Sequence, residues 1–179
     1  MHDYKIAFEE ASAYTDVAEI LEHDGNGIYP YTPEHAVVAI TNSAFAIELF
    51  LKSLLYLKKA NSKKAGHDLL KLWEKCTEVD QGFTKSISGR IKTAFPDWSL
   101  SIEEQLEYQR QAFKDWRYHF EKGNEAKVDR MFLRAFRAIL RDEVCRKLYG
   151  KAWSEYASSD ERLTALRASY EKARAGKTE

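Results

Sequence analysis

The chain has 179 residues, and its 28 Lys and Arg residues balance its 28 Asp and Glu residues to a formal net charge of zero. This length is typical of one domain that buries about two thirds of its unfolded surface, and the neutral charge excludes a global field that draws the chain to nucleic acid or an anionic membrane. Cys76 and Cys145 stand far apart, without CxxC spacing, which argues against a zinc site or a disulfide and predicts reduced, buried thiols. With no signal-like N-terminus and no run of 18 uncharged apolar residues, we expect a cytoplasmic protein without a membrane partner, a metal or another cofactor.

Helix signals dominate the chain. Only three prolines and eight glycines interrupt it, and no run alternates with the period of two that a half-buried strand requires. A first helix is predicted over residues 3–23, and residues 1–34 hold eight acids against one lysine. A second begins at Thr32-Pro33 and runs to about Ala60; apolar residues cover nearly all its sides, as in a central helix wrapped by others.

The remaining elements are also helical. Further helices are predicted over residues 68–76, 80–94, 101–122 and 128–150, the third opened by a capping box of Ser101 and Glu104 and the fourth ended by Gly150. From Lys151 onwards, a cluster of cap residues at 158–160 predicts one or two more. The sequence therefore predicts an all-α, up-and-down helical bundle over residues 1–150, with 151–179 as a C-terminal helical extension packed on the bundle or trailing it.

The central helix carries three polar residues, Asn42, Glu48 and Lys52. An unpaired buried charge costs several kcal/mol, so Glu48 needs a partner, a place at the helix margin, or a working cleft. Glu48 and Lys52 are four residues apart, the spacing of a marginal salt bridge. Asn42 lies about 120° around the helix from Glu48, so at least one of the three should point inward or to a partner.

A short polar segment, Gly66-His67-Asp68, precedes the third predicted helix. Asp68 or His67 there fits a helix cap, followed by apolar anchors. His67 could instead belong to a functional site. The residues alone leave both interpretations open.

Residues 114–121 combine charged and aromatic side chains at the end of a predicted helix. Lys114 and His119 lie about 140° apart on that helix, close enough to converge on one ligand. A cation that holds a phosphate and an imidazole that moves a proton are the minimum equipment for phosphodiester transfer. Arg117 could instead pair with Glu121, and the aromatic residues there fit a core or interface better than a base-stacking platform (Trp116, Tyr118 and Phe120).

Four arginines follow the spacing i, i+4, i+7, i+11 on the helix after Val128: Arg130, Arg134, Arg137 and Arg141. They gather within about 60° opposite the apolar face. We consider a solvated face, a phosphate-binding patch, and pairing with the acidic first helix or a partner's acidic surface.

Three segments together resemble the HEPN superfamily (higher eukaryotes and prokaryotes nucleotide-binding): NSAFAIELFLKSLL at 42–55, GHDLLKLW at 66–73, and the later helix that carries KDWRYH at 114–119. The resemblance spans residues 32–141. It implies a small helical bundle that commonly forms homodimers, with many members acting as metal-independent endoribonucleases in toxin–antitoxin and phage-defence systems. An antitoxin or other protein partner is then also expected.

The family's active pair is an Arg, a polar residue and, a few residues on, a His. Here the match places Lys114 in the Arg position, Asp115 in the polar position and His119 as the histidine, with Glu48 as the acid that the family often keeps on its central helix. Lys keeps the charge but loses the bidentate fork of Arg. Three possibilities follow: Lys114 substitutes, Arg117 takes over from a different register, or the domain binds without catalysis.

With this resemblance, the sequence predicts a domain that binds RNA or a nucleotide. A second, stronger version of the prediction adds RNA cleavage by the domain. In that version His119 assists the 2′-hydroxyl attack, and Lys114 and Arg117 stabilise the developing charge. Asp115, Asn42 and Lys52, with the four arginines, are the candidate binding residues. The alternatives are a non-catalytic scaffold whose arginines bind an acidic partner, and a small-molecule enzyme with its site around Glu48 and His67.

Overall fold

The structure is a computed structural model that describes residues 3–22, 33–61, 65–117 and 128–175. Within these ranges it contains helices and no strands, which confirms the predicted all-α bundle. In chain order the helices are α1 (Tyr4–Glu22), α2 (Pro33–Leu57), α3 (Leu69–Val79), α4 (Gln81–Ala94), α5 (Ile102–Tyr108), α6 (Ala112–Arg117), α7 (Arg130–Tyr149), α8 (Trp153–Tyr156) and α9 (Asp160–Ala175).

The central position predicted for α2 is confirmed. It packs against α1, α3, α6 and α7, and five of its large apolar side chains are completely buried: Ile47, Phe50, Leu51, Leu54 and Leu55. Among the described residues, the segment Glu34–Leu57 is long and apolar enough to cross a membrane by length and composition alone. However, 61% of its most apolar stretch is buried inside the protein, as in the core helix of a bundle.

Local caps set several boundaries where the sequence predicts them. Ser101 accepts a hydrogen bond from the backbone of Glu104, whose side chain accepts one from the backbone of Ser101, so the capping box is confirmed. Gly150 ends α7 with φ 69°, a left-handed conformation that glycine adopts without a Cβ penalty. Both predicted buried thiols are also found, and burial raises the pKa of Cys145 to about 12.

The single helix predicted over residues 101–122 is wrong at residues 109–111, where α5 ends and α6 has not begun. Tertiary contacts explain the break. The buried amide of Gln109 donates to the Gln105 carbonyl at 3.2 Å and accepts from the Asp129 backbone at 3.2 Å. The Arg110 carbonyl accepts from the Leu69 backbone N–H at 3.0 Å. The bonds to Asp129 and Leu69 join this break to other segments, and α6 packs against α2.

The segment after Gly150 contributes to the same core. Tyr156 is buried and stacks on Tyr149 with ring centroids 3.9 Å apart, and its hydroxyl donates to Glu9 at 3.1 Å. Arg162, at the start of α9, also donates to Glu9 at 3.1 Å. The beginning of the C-terminal extension is therefore tied to α1 as well as to α7.

Asp80 joins three helices. It caps α4 by accepting from the Phe83 backbone at 3.0 Å, and lies 3.0 Å from both Lys58 and Lys147. Burial alone would raise the pKa of Asp80, but hydrogen bonds from Lys147, Lys58 and Phe83 lower it from 3.8 to about 2. The folded-state pKa thus lies below the unfolded value, so Asp80 stabilises the fold above that value, and this contribution is lost as the pH falls towards 2.

We expect Asp80→Asn, which keeps a capping oxygen and loses the charge, to lower the free energy of unfolding by about 1–2 kcal/mol at neutral pH, since both lysines are partly exposed. Urea unfolding at several pH values measures this. The difference from the wild type should shrink between about pH 4 and pH 2. The exposed Asp97→Asn is the matched control, and a pH-independent Asp80→Asn effect contradicts the prediction.

Candidate functional site

Glu48 lies inside the bundle, with only 1% of its surface exposed. Its carboxylate has two cationic or polar partners from different parts of the chain. Lys52 donates to Oε1 at 2.6 Å, and Nδ1 of His67 lies 3.0 Å from Oε1 and 2.9 Å from Oε2. The predicted i, i+4 pair with Lys52 therefore exists, but it is joined by a histidine 19 residues away.

The turn before α3 holds His67 in place. Gly66 has φ 59°, in the left-handed region that glycine favours. Asp68 then caps α3 by accepting from the Lys71 backbone at 3.0 Å, and Arg110 donates to its other oxygen at 2.9 Å. The capping role considered for this segment thus belongs to Asp68, which leaves His67 for the contact with Glu48.

The charge of Asp68 is stabilised in this position. Burial raises its pKa, but the hydrogen bonds from Arg110 and from the Lys71 backbone outweigh burial and lower the pKa below 3.8. Asp68 therefore stays ionised and paired with Arg110 at neutral pH. Arg110, which lies in the break of the predicted helix, thus binds the His67 turn through its side chain and its carbonyl.

An open pocket of about 430 Å³ lies beside this turn. It is lined by residues of the turn, of α3, of the break before α6 and of α6: Ala65, His67, Asp68, Lys71, Gln111, Phe113, Lys114 and Arg117. Three of these side chains are basic, and all three are exposed: Lys71, Lys114 and Arg117. Within the described part of the chain, the lining holds these three basic side chains against Asp68, which pairs with Arg110 at 2.9 Å and with Lys71 at 3.9 Å, so it carries an excess of positive charge and suits an anion.

Phe113 is the aromatic side chain of the lining, and its neighbours cover it. Its ring stacks on Phe45 with centroids 4.5 Å apart, and the Arg117 guanidinium carbon lies 5.3 Å from its centroid. The His67 ring centroid is 5.4 Å away. Phe113 therefore orders the basic side chains around it and offers little open face for a nucleobase.

The predicted site residues of α6 are brought only partly together with the others. Lys114 and Arg117 both line the pocket, and Glu48 reaches its edge through His67. Asp115 is half-buried and is not part of the lining. His119, together with Tyr118, Phe120 and Glu121, lies outside the described residues.

Asn42 and Lys52 have local roles on α2. Asn42 donates to the carbonyl of Val38 one turn earlier at 2.8 Å, and Lys52 binds Glu48. Neither lines the pocket. Sequence analysis did not single out Lys71 or Arg110, although the GHD turn followed by Lys71 was the available signal that a polar site begins there.

The arginine stripe of α7 is divided. Arg137 is fully buried and donates to both carboxylate oxygens of Glu22, at 3.2 and 2.9 Å. Arg141 donates to Asp16 at 2.9 Å and to Glu19 at 2.8 Å. At these two positions the arginines pair with the acidic first helix, which is one of the three interpretations of the stripe. The interpretation as a phosphate-binding patch is therefore wrong for Arg137 and Arg141. Arg134 is exposed, 3.8 Å from Glu22, and Arg130 is exposed at the start of the helix.

Comparison with known proteins finds no matching family model, no similar curated protein and no similar solved structure. The likeness to the HEPN superfamily therefore rests on the residues themselves.

Proposed function

We propose that this chain is a HEPN-like domain that binds RNA or a nucleotide by its phosphate groups. The observation that supports the proposal is the pocket in which Lys71, Lys114 and Arg117 surround a histidine held by a buried glutamate. Phosphate oxygens are preferred ligands of such cations, and Arg adds bidentate geometry.

The size and lining of the pocket favour one nucleotide unit. Its volume of about 430 Å³ lies within the usual range for small-ligand sites. The covered ring of Phe113 argues for contacts to phosphate and ribose rather than stacking on a base. Binding should therefore depend strongly on salt and weakly on RNA sequence.

The resemblance adds a reaction, a partner and an assembly to this proposal. The reaction is metal-independent RNA cleavage in a toxin–antitoxin or phage-defence system, with Lys114 in place of the family's Arg and His119 as its histidine. A homodimer and an antitoxin stay predictions of the same origin, and a cytoplasmic location stays a prediction from the N-terminal sequence.

The two alternatives fare differently. The scaffold alternative requires the arginine stripe to bind an acidic partner. Arg137 and Arg141 do not support it, because α1 of the same chain already pairs with both. A small-molecule enzyme around Glu48 and His67 gains the contact between these side chains. Since a nucleotide is itself a small ligand, this second alternative and the proposed function use the same site around Glu48 and His67.

The proposal is tested by removing the two pocket cations of α6. We expect the double variant Lys114→Ala/Arg117→Ala to bind a fluorescent single-stranded RNA about tenfold or more weakly at low salt, and to show a salt slope smaller by about 1.4, because each lost phosphate contact removes about 0.7. Fluorescence anisotropy at several salt concentrations measures both quantities.

The matched control is Lys85→Ala/Lys92→Ala, which removes the same charge from exposed positions of α4. This control should keep nearly the wild-type affinity. Equal losses in the two double variants, or a wild-type chain that binds neither RNA nor mononucleotides, contradict the proposed function.

A further inference from the structure

We infer that His67 is a catalytic residue of the pocket, the base that accepts a proton from the bound ribose, and that Glu48 is its positioning residue. The inference rests on the proposed function and deepens it. The resemblance assigns proton transfer to His119, whereas the described contacts single out His67.

The first argument is the orientation of the imidazole. Both carboxylate oxygens of Glu48 lie within 3.0 Å of Nδ1, so a proton on Nδ1 is donated to Glu48. In the neutral ring, this hydrogen bond favours the tautomer that leaves Nε2 without a proton and able to accept one. A carboxylate that holds a histidine through Nδ1 in this way is the arrangement that serves proton transfer in hydrolytic triads.

The second argument is that burial of Glu48 does not require His67. Lys52 already donates to the same carboxylate at 2.6 Å and has only 17% of its side chain exposed. His67 is a second partner with 52% of its side chain exposed. About half of the side chain is thus accessible and His67 lines the pocket, while its Nδ1 is held by a buried group, a combination that suits contact with a ligand.

The third argument is the surrounding charge. The charged groups near His67 come from each element around it: Lys52 on α2, Asp68 in its own turn, Lys71 on α3, and Lys114 and Arg117 on α6. Asp68 is paired with Arg110. A phosphodiester placed among these cations would lie beside the imidazole, with positive charge available where negative charge develops.

The reaction is a transesterification that needs no metal and no co-reactant. Nε2 of His67 takes the proton of a ribose 2′-hydroxyl, and the 2′-oxygen forms a bond to the adjacent phosphorus. The bond from phosphorus to the 5′-oxygen of the next nucleotide breaks, and this oxygen takes a proton from solvent water, while the hydroxide that remains accepts the proton from Nε2 and returns the imidazole to its neutral form. The products are a 2′,3′-cyclic phosphate and a 5′-hydroxyl end. Lys114 and Arg117 stabilise the charge on the phosphoryl oxygens in between.

The test uses the full chain and a fluorogenic single-stranded RNA. We expect His67→Gly to lower the cleavage rate about 10²–10⁴-fold, the usual contribution of a general base, while the RNA dissociation constant stays close to that of the wild type. Added imidazole should restore part of the lost rate, which a purely structural role of His67 cannot produce. Glu48→Gln should lower kcat more than it changes KM, because the substituted side chain no longer favours this tautomer.

Two comparisons complete the design. His35→Asn is the matched control, since His35 lies about 20 Å from Glu48 along α2 at 1.5 Å per residue, and it should cleave like the wild type. His119→Ala separates the histidine that the resemblance assigns from the one inferred here. Melting temperatures exclude misfolding; if Glu48→Gln unfolds, the exposed His67 variant still decides the question.

The outcomes distinguish the two proposals. If His67→Gly cleaves at the wild-type rate, if imidazole does not restore its activity, or if the wild type binds RNA without cleaving it, the inference is overturned and the proposed binding function stands. If the wild type binds no RNA and no nucleotide, both are overturned.

Discussion

Arg137→Met is expected to lower the free energy of unfolding by about 3–5 kcal/mol, the cost of removing one partner of a buried ion pair. Arg137 has no exposed surface, and Glu22, which accepts from it through both carboxylate oxygens, has 12% of its side chain exposed. Ser43 of α2 also accepts from Arg137. Methionine fills a similar volume but leaves the Glu22 carboxylate without its main partner. Urea unfolding at neutral pH measures the loss.

Arg134→Met is the matched control on the same helix. Arg134 lies one turn earlier and 3.8 Å from the same carboxylate, but 58% of its side chain is exposed. Exposed pairs contribute only about 0–1 kcal/mol. The double variant Arg137→Met/Glu22→Gln should lose less than the sum of the single variants, because neither charge is then left alone. Equal effects at positions 134 and 137 contradict the prediction.

Trp73→Ala is expected to destabilise the chain by about 3–5 kcal/mol, as usual for a buried aromatic side chain truncated to Ala. Trp73 on α3 is 1% exposed and packs edge-on against Phe136 of α7 with ring centroids 5.5 Å apart. Its indole N–H donates to Glu103 of α5 at 2.7 Å. One side chain thus connects three helices, and its removal leaves a cavity where they meet. Chemical denaturation followed by circular dichroism measures the effect.

Trp73→Phe separates packing from the hydrogen bond. The phenyl ring keeps much of the apolar contact but loses the bond to Glu103, which we expect to cost about 1.5–3 kcal/mol because the acceptor is charged, and it also loses the contacts of one ring of the indole. The Ala variant should therefore be the less stable of the two. Equal stability of the two variants would mean that the bond to Glu103, and not core packing, accounts for the role of Trp73.

Several features of the site were predictable from local sequence. The embedded Glu48 and Lys52 indicated a buried acid that needs a partner, and KDWR supplied two cations at helical spacing. Lys114 and Arg117 do line the pocket. Local sequence did not identify His67 as a partner of Glu48, because a histidine beside a good capping residue also fits a helix start.

The arginine stripe illustrates the limit of helical periodicity. Its spacing correctly placed four cations on one side of α7, but it could not distinguish solvent from a neighbouring helix. Arg137 pairs with a residue 115 positions away in the chain. Its burial depends on where α1 lies, and no pattern within α7 contains that information.

The sequence by itself determined the helical class, the central place of α2, the capping box at Ser101 and the end of α7 at Gly150, because these follow from side-chain periodicity and from hydrogen bonds that reach three or four residues along the chain. Only the tertiary structure decided the break at residues 109–111, the burial of Arg137 and the contact between Glu48 and His67. Each of these depends on hydrogen bonds between segments that are distant in sequence, and a buried polar group takes the partner that the packing of helices brings within reach.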